Sequence, residues 1–264
     1  MKKWFVFTMF AFVSLSLAAC RAKAVTPNAA PTAQPTPRAV ATAPSAVPAA
    51  PSAAAVYAPI IDPNNFVKVV DNPYFPLKPG TTFIYEGRTE KGNEHVEVVV
   101  LPDTKVIMGV TCVALSDIVT VDGKLEEGTV DWYAQDKLGN VWYFGEDTKE
   151  YKDGKVSGTK GAWQAGVDGA LPGIIMKVQP VVGETYRQEY YKGQAEDMAT
   201  VLSLSESATV PAGSYSNVIV TNEWAAIANP PVYEHKYYAK GVGQFLTKYV
   251  AGGYELKLIE FRNQ

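Results

Sequence analysis

The chain has 264 residues, with 24 Lys and Arg against 27 Asp and Glu, two His and two Cys. All the acids lie beyond residue 58, where 19 basic side chains meet 27 acidic ones, a balance of −8 that argues against a nucleic-acid partner. Two Cys and two His exclude most zinc arrangements, and no Asp-x-Asp-x-Asp-Gly loop exists for calcium, so neither metal nor cofactor is expected.

Residues 1–19 read as a signal peptide. Lys2 and Lys3 precede an apolar run from Trp4 that is punctuated by Ser and ends in small residues. At about 16 residues that run is shorter than the roughly 20 needed to span a bilayer. The ending Leu17-Ala18-Ala19-Cys20 resembles the lipobox of bacterial lipoproteins. The resemblance implies cleavage before Cys20, lipidation of its thiol, and an extracytoplasmic protein anchored in the outer or cytoplasmic membrane. More than one acyl chain is what makes such an anchor stable. With Cys20 consumed, Cys112 has no disulfide partner. Its setting, Thr111-Cys112-Val113, suits a buried strand position better than a reactive thiol.

Residues 20–58 are almost wholly Ala, Pro, Thr, Ser and Val. Such a segment lacks the large apolar groups that offset ordering entropy, so a disordered tether is expected, with a reach on the order of 100 Å if extended. Residues 59–264 then form one domain. From Thr81 onward, short runs rich in Val, Ile, Thr, Tyr, Phe and Trp alternate with Gly- and Asp-containing turns. Asp122-Gly123, Asp153-Gly154 and Gly252-Gly253 are two-residue hairpin signals. The fold class is all-β and mainly antiparallel, with about 10 to 12 strands.

Self-similarity divides this domain. Pro76 to Phe83 resembles Pro180 to Tyr186, Gly109 falls opposite Gly213, Trp132-Tyr133-Ala134 opposite Tyr237-Tyr238-Ala239, and Gly139 opposite Gly243, at offsets between 103 and 105. The expectation is two tandem β-meander repeats, about 76–156 and 180–262, forming a barrel or half-barrel whose interior would take a ligand. An insert at 158–177 has no counterpart. Its glycines, with Trp163, Ile175 and Met176, fit a flap over the barrel mouth or a plug that completes the core.

The candidate chemistry is sparse. In Glu234-His235-Lys236-Tyr237, alternation sends His235 and Tyr237 to one face, which reads as the inner one because His235 falls opposite Val130. A buried histidine satisfied by a hydroxyl is the alternative. Glu196-Asp197 reads as a solvated strand end. No Gly-x-Ser-x-Gly elbow, Walker loop or dinucleotide fingerprint is present. The ligand-binding candidates are therefore Trp163, Ile175, Met176, His235 and Tyr237; a hydrolase of envelope polymers or glycans would use His235 with Glu196.

Asn72-Pro73-Tyr74-Phe75-Pro76-Leu77-Lys78-Pro79-Gly80-Thr81, together with Glu234 to Gly243, resembles an uncharacterised family of exported bacterial proteins over most of 62–262. The Tyr238-Ala239-Lys240-Gly241-Val242-Gly243 hairpin is also similar to the outer-membrane lipoprotein-carrier class, whose half-barrels hold lipid or acyl chains. That resemblance implies a lipid-like small molecule as partner. The leading expectation is an envelope lipoprotein binding an apolar or amphipathic ligand, with a hydrolase or a structural surface protein as alternatives. Cys20→Ser is expected to abolish both labelled-palmitate incorporation and the mass increment of an acylated cysteine; a variant that retains either would contradict the anchor.

Overall fold

The computed structural model describes residues 57–262; the signal peptide, Cys20 and the tether up to residue 56 lie outside the described residues. A strap comes first. Asp62 caps a 3₁₀ turn at Pro63–Asn65, its side chain accepting from the Asn64 amide at 2.9 Å, and β1 (Phe66–Val67) pairs with the end of a later strand at Gln135 and Asp136. The strap continues across one end of the sheet. The Asn72 side chain donates to the Gly139 carbonyl at 2.8 Å, and the Pro73 carbonyl accepts from the Gly241 amide at 2.7 Å.

A first meander follows: β2 (Thr82–Thr89), β3 (Gly92–Ile107), β4 (Val110–Val121), β5 (Lys124–Asp136) and β6 (Val141–Lys152). A second comprises β12 (Asp197–Val210), β13 (Gly213–Ala225), β14 (Tyr233–Ala239), β15 (Gly243–Tyr249) and β16 (Glu255–Arg262). Between them lie the short strands β7 (Lys155–Gly158), β8 (Trp163–Gln164), β9 (Leu171–Met176), β10 (Thr185–Arg187) and β11 (Glu189–Tyr190). All pairings are antiparallel, and β16 lies beside β2, so the two meanders join into one sheet of 16 strands among the described residues. The count exceeds the sequence expectation because the linking region contributes five short strands that lack sustained alternation.

The ends of this sheet meet on a single stretch of chain. Thr185 to Arg187 pair with β12, and Glu189 and Tyr190 pair with β9, whose other edge pairs with β6. The sheet thereby curls into a nearly closed barrel. Gly173 makes the junction possible: a Cβ there would lie 2.3 Å from the Gln188 carbonyl carbon and 2.7 Å from the Arg187 oxygen. The 158–177 insert adds to the wall and to the core: its strands β8 and β9 pair with β6, β9 also pairs with β11 at the seam, and Trp163, Ala165, Ala170 and Met176 are buried in the core.

Turn chemistry explains the hairpins. Asp122-Gly123 and Asp153-Gly154 both have positive φ at both positions, as tight primed turns require, and Met108-Gly109 does the same without the usual Asn or Asp signal. Gly252-Gly253 instead lies in the longer connection between β15 and β16. The two meanders also share a bulge. Trp132 faces Gly145 and Tyr133 faces Tyr143, skipping Phe144; Tyr237 faces Leu246 and Tyr238 faces Gln244, skipping Phe245. Both skipped phenylalanines are fully buried, because a bulge turns consecutive residues away from strict alternation. Gly80 and Gly183 are likewise equivalent: their amides donate to the Val100 and Val201 carbonyls, each at 2.8 Å.

Gly173→Ala is expected to lower stability by about 1 to 3 kcal/mol, because the new methyl meets rigid backbone. Gly128→Ala, whose methyl would meet the Ile118 Cδ1 at 3.3 Å, should shift a urea midpoint far less. Equal midpoints for the two variants would show that closure does not depend on the close approach at Gly173.

Candidate functional site

The barrel holds a cavity of ≈ 150 Å³ that is partly open to solvent. At the strap end its wall is Phe75, Pro76 and Leu77 with Val242 and Gly243, and Phe83, Val96, Leu115 and Leu256 continue the apolar lining along the strands. The rest is polar. Asp117, Asp131, Gln188, Glu189, Asp197 and Lys236 line the same space, together with Tyr133, Tyr143 and Tyr238.

Alternation places these groups. On β5, Asp131 and Tyr133 point inward two residues apart, and on β14 Lys236 and Tyr238 do so. Lys236 is 4% exposed, and its Nζ lies 2.9 Å from the Glu223 Oε2. The other oxygen of Glu223 accepts from the Thr221 hydroxyl at 2.6 Å and the Tyr238 hydroxyl at 2.9 Å. Both oxygens of Glu223 are therefore hydrogen-bonded, which helps make the burial of this ion pair tolerable. Tyr143 donates to the Asp131 Oδ1 at 2.5 Å, and Thr148 donates to the Glu146 Oε2 at 2.9 Å.

Three buried atoms on residues of the cavity wall have no such partner: the Asp117 Oδ1, the Asp197 Oδ1 and the Gln188 Nε2. Asp117 and Asp197 are partly exposed as residues, and Gln188 is 3% exposed. Buried polar groups are nearly always paired, so three unpaired atoms in the wall of one space mark it as unlike an ordinary core.

Carboxyl groups dominate the interior electrostatics. Burial pushes Asp131 up to about 7, opposed by the Tyr143 hydroxyl and by Lys236. Burial and then the negative charges of Asp131, Glu127 and Glu94 hold Asp117 well above the usual carboxylate range. Asp197 is raised by burial and by Glu189, and Glu146 by burial, Asp131 and Glu189. Burial lifts Glu94 to about 7. For Lys236, burial alone would favour the neutral amine, but Glu223, Glu234 and Asp197 together outweigh it and hold the ammonium. Among the described residues, no group of three or more His, Cys, Asp or Glu is arranged to hold a metal ion.

The residues singled out from sequence are mostly elsewhere. Ile175 lines the cavity. Trp163 is buried with its ring edge-on to Tyr143, centroids 5.4 Å apart, and Met176 is a core residue. His235 and Tyr237 do share a face, but it is the outer one: His235 lies beside Lys248, and the Lys248 Nζ sits 5.3 Å over the Tyr237 ring. Burial and Lys248 both lower the His235 pKa. Glu196 is held by Arg187 at 3.4 Å and by the Gly193 amide at 2.8 Å, away from the cavity wall, whereas its neighbour Asp197 is the member that turns inward. Cys112 is fully buried, and burial raises its thiol to about 12, which keeps it protonated. The signal for the missed residues was an acid or lysine two positions before a tyrosine, Asp131-x-Tyr133 and Lys236-x-Tyr238.

No protein-family model matches the sequence, and no curated protein matches it either. Among solved structures, the chain is similar to a Bacteroides fragilis protein described as exported and of YmcC-like fold. The identity is 12%, over 72% of this chain and 99% of that one, with a TM-score of 0.43. It is also similar to a protein of Parabacteroides distasonis described as a lipoprotein, at 14% identity over 72% and 98% of the two chains, with a TM-score of 0.40.

The interior carboxyls bind protons more tightly in the folded chain than in the unfolded one. Their contribution to stability is therefore complete below about pH 4 and is lost as pH rises through about 7, where Asp131 and Glu94 ionise. Between pH 5 and 8 the Tm is expected to fall by on the order of 5 to 10 °C. Asp131→Asn, which keeps the acceptor for Tyr143 and cannot ionise, should flatten this slope. A Tm that rises over this range would contradict the buried, protonated interior.

Proposed function

We propose that this chain is a lipid-anchored, extracytoplasmic protein whose barrel holds a small amphipathic molecule in its interior cavity. The observation that carries this reading is the combination of unfilled space with unpaired polar atoms. A core that served packing alone would fill ≈ 150 Å³ with side chains and would not leave the Asp117 Oδ1, Asp197 Oδ1 and Gln188 Nε2 without partners. Apolar walls on one side and convergent polar groups on the other are the usual composition of a ligand site.

Size narrows the ligand. A cavity of this volume suits a molecule of roughly benzene size, not a full acyl chain. Any lipid-like partner would enter with only a short portion of its length. The tether supports the location: an anchored amine end followed by Pro- and Ala-rich sequence lets the barrel work away from the bilayer surface. Hydrolysis through His235 and Glu196 finds less support, since neither lines the cavity.

Native mass spectrometry of the protein purified from membranes is expected to show a fraction carrying a noncovalent small-molecule mass. Leu115→Trp, which fills the cavity, should lose that mass while keeping the circular dichroism of a β-barrel, and His235→Ala should retain it. Bare protein masses throughout, with no saturable thermal shift across a panel of small amphiphiles, would falsify the reading.

A further inference from the structure

We infer that the molecule held in the barrel is a small organic cation, an ammonium compound whose charged end sits among Asp117, Asp131 and Asp197 and whose apolar end faces Phe83, Leu115 and Leu256. The inference rests on the cavity reading above and adds the charge of the ligand.

Four carboxyl-bearing side chains line the cavity, Asp117, Asp131, Glu189 and Asp197, against one amine, Lys236. That amine is already matched by Glu223, which is not part of the lining, so its charge is not free to receive an anion. A fatty acid or a phosphate would find no unmatched cation in the lining, since the Lys236 ammonium is already bound to Glu223. An uncharged ligand would avoid that mismatch but would leave the acids as they are.

A cation answers the unpaired atoms directly. Two of the three, the Asp117 Oδ1 and the Asp197 Oδ1, are acceptors on different strands, β4 and β12, and both belong to residues that line one cavity. An ammonium N–H group donating to either would form a charge-assisted hydrogen bond, the stronger kind. The third, the Gln188 Nε2, is a donor and would face an oxygen or other acceptor on the same ligand. Tyr85, Tyr133 and Phe83 wall the space, and aromatic ring faces attract cations that have shed their water. At ≈ 150 Å³ the ligand has few heavy atoms beyond the ammonium group, which is why it must be a small amine and not a cationic lipid taken in whole.

Three probes of nearly equal shape test the charge: cyclohexylammonium, cyclohexanol and cyclohexanecarboxylate, titrated calorimetrically into the mature protein at one pH. The ammonium is expected to bind saturably and at least about tenfold more tightly than the alcohol, with the carboxylate weakest. Asp117→Asn should weaken the ammonium about tenfold and leave the alcohol within about twofold. Asp197→Asn, on a different strand, repeats the measurement if the first variant does not fold. Tightest binding by the alcohol or the carboxylate, or an unchanged ammonium affinity in both variants, would overturn the inference while leaving the cavity reading intact. Binding by none of the three would overturn both.

Discussion

Closure of the barrel at Thr185 to Tyr190 is the constraint on which the interior depends. One stretch of chain pairs with β12 through its first half and with β9 through its second, and the two edges of the sheet are joined across it. A Cβ at position 173 would press on the backbone of Gln188, where β9 passes close over it, so any other residue there forces the seam to shift. If the seam were open, water would reach Asp131 and Glu146 from the β6 side, and the desolvation that raises their pKa values would be lost. The chemistry of the cavity is therefore a consequence of a backbone contact.

The closed interior is tolerated because its charges are nearly all either paired or neutralised. Glu223 accepts three contacts, from Lys236, Thr221 and Tyr238, so both oxygens of this buried carboxylate are hydrogen-bonded. The remaining carboxyls solve the same problem by holding a proton, which makes them donors as well as acceptors. Such networks contribute less to stability than an apolar core of equal volume would. Their persistence at the inner ends of β5, β6, β12 and β14 points to a demand other than packing.

Much of the fold was legible in the sequence, because strands and turns are written locally. Asp122-Gly123 and Asp153-Gly154 form the hairpins their residues demand, and the antiparallel barrel follows from consecutive strands joined by short turns. The site was less legible. Alternation in Glu234-His235-Lys236-Tyr237 separates the residues correctly into two faces, but it does not say which face is inside. The alignment of His235 with apolar Val130 implies an inward His235, but the barrel interior is polar there and Lys236 is the residue that points inward. Asp197, which reads as part of a solvated strand end, lines the same interior. The role of the insert was hidden for a different reason: β8 and β9 are short, and their pairing with β6 is a long-range contact that no local pattern encodes.

On the proposed reading, stability and recognition would draw on the same groups. An unpaired acceptor such as the Asp117 Oδ1 raises the free energy of the folded state by part of its lost hydration. A ligand that supplied the missing donor would recover that free energy as affinity and so gain selectivity. Protonation is the competing way to relieve the same groups. As pH rises and the protons become harder to hold, the folded state loses stability and the cavity becomes more receptive to positive charge. A bound cation would then stabilise the barrel most under the conditions in which the empty barrel is weakest, since binding to the folded form alone adds to stability in proportion to the logarithm of ligand concentration over Kd.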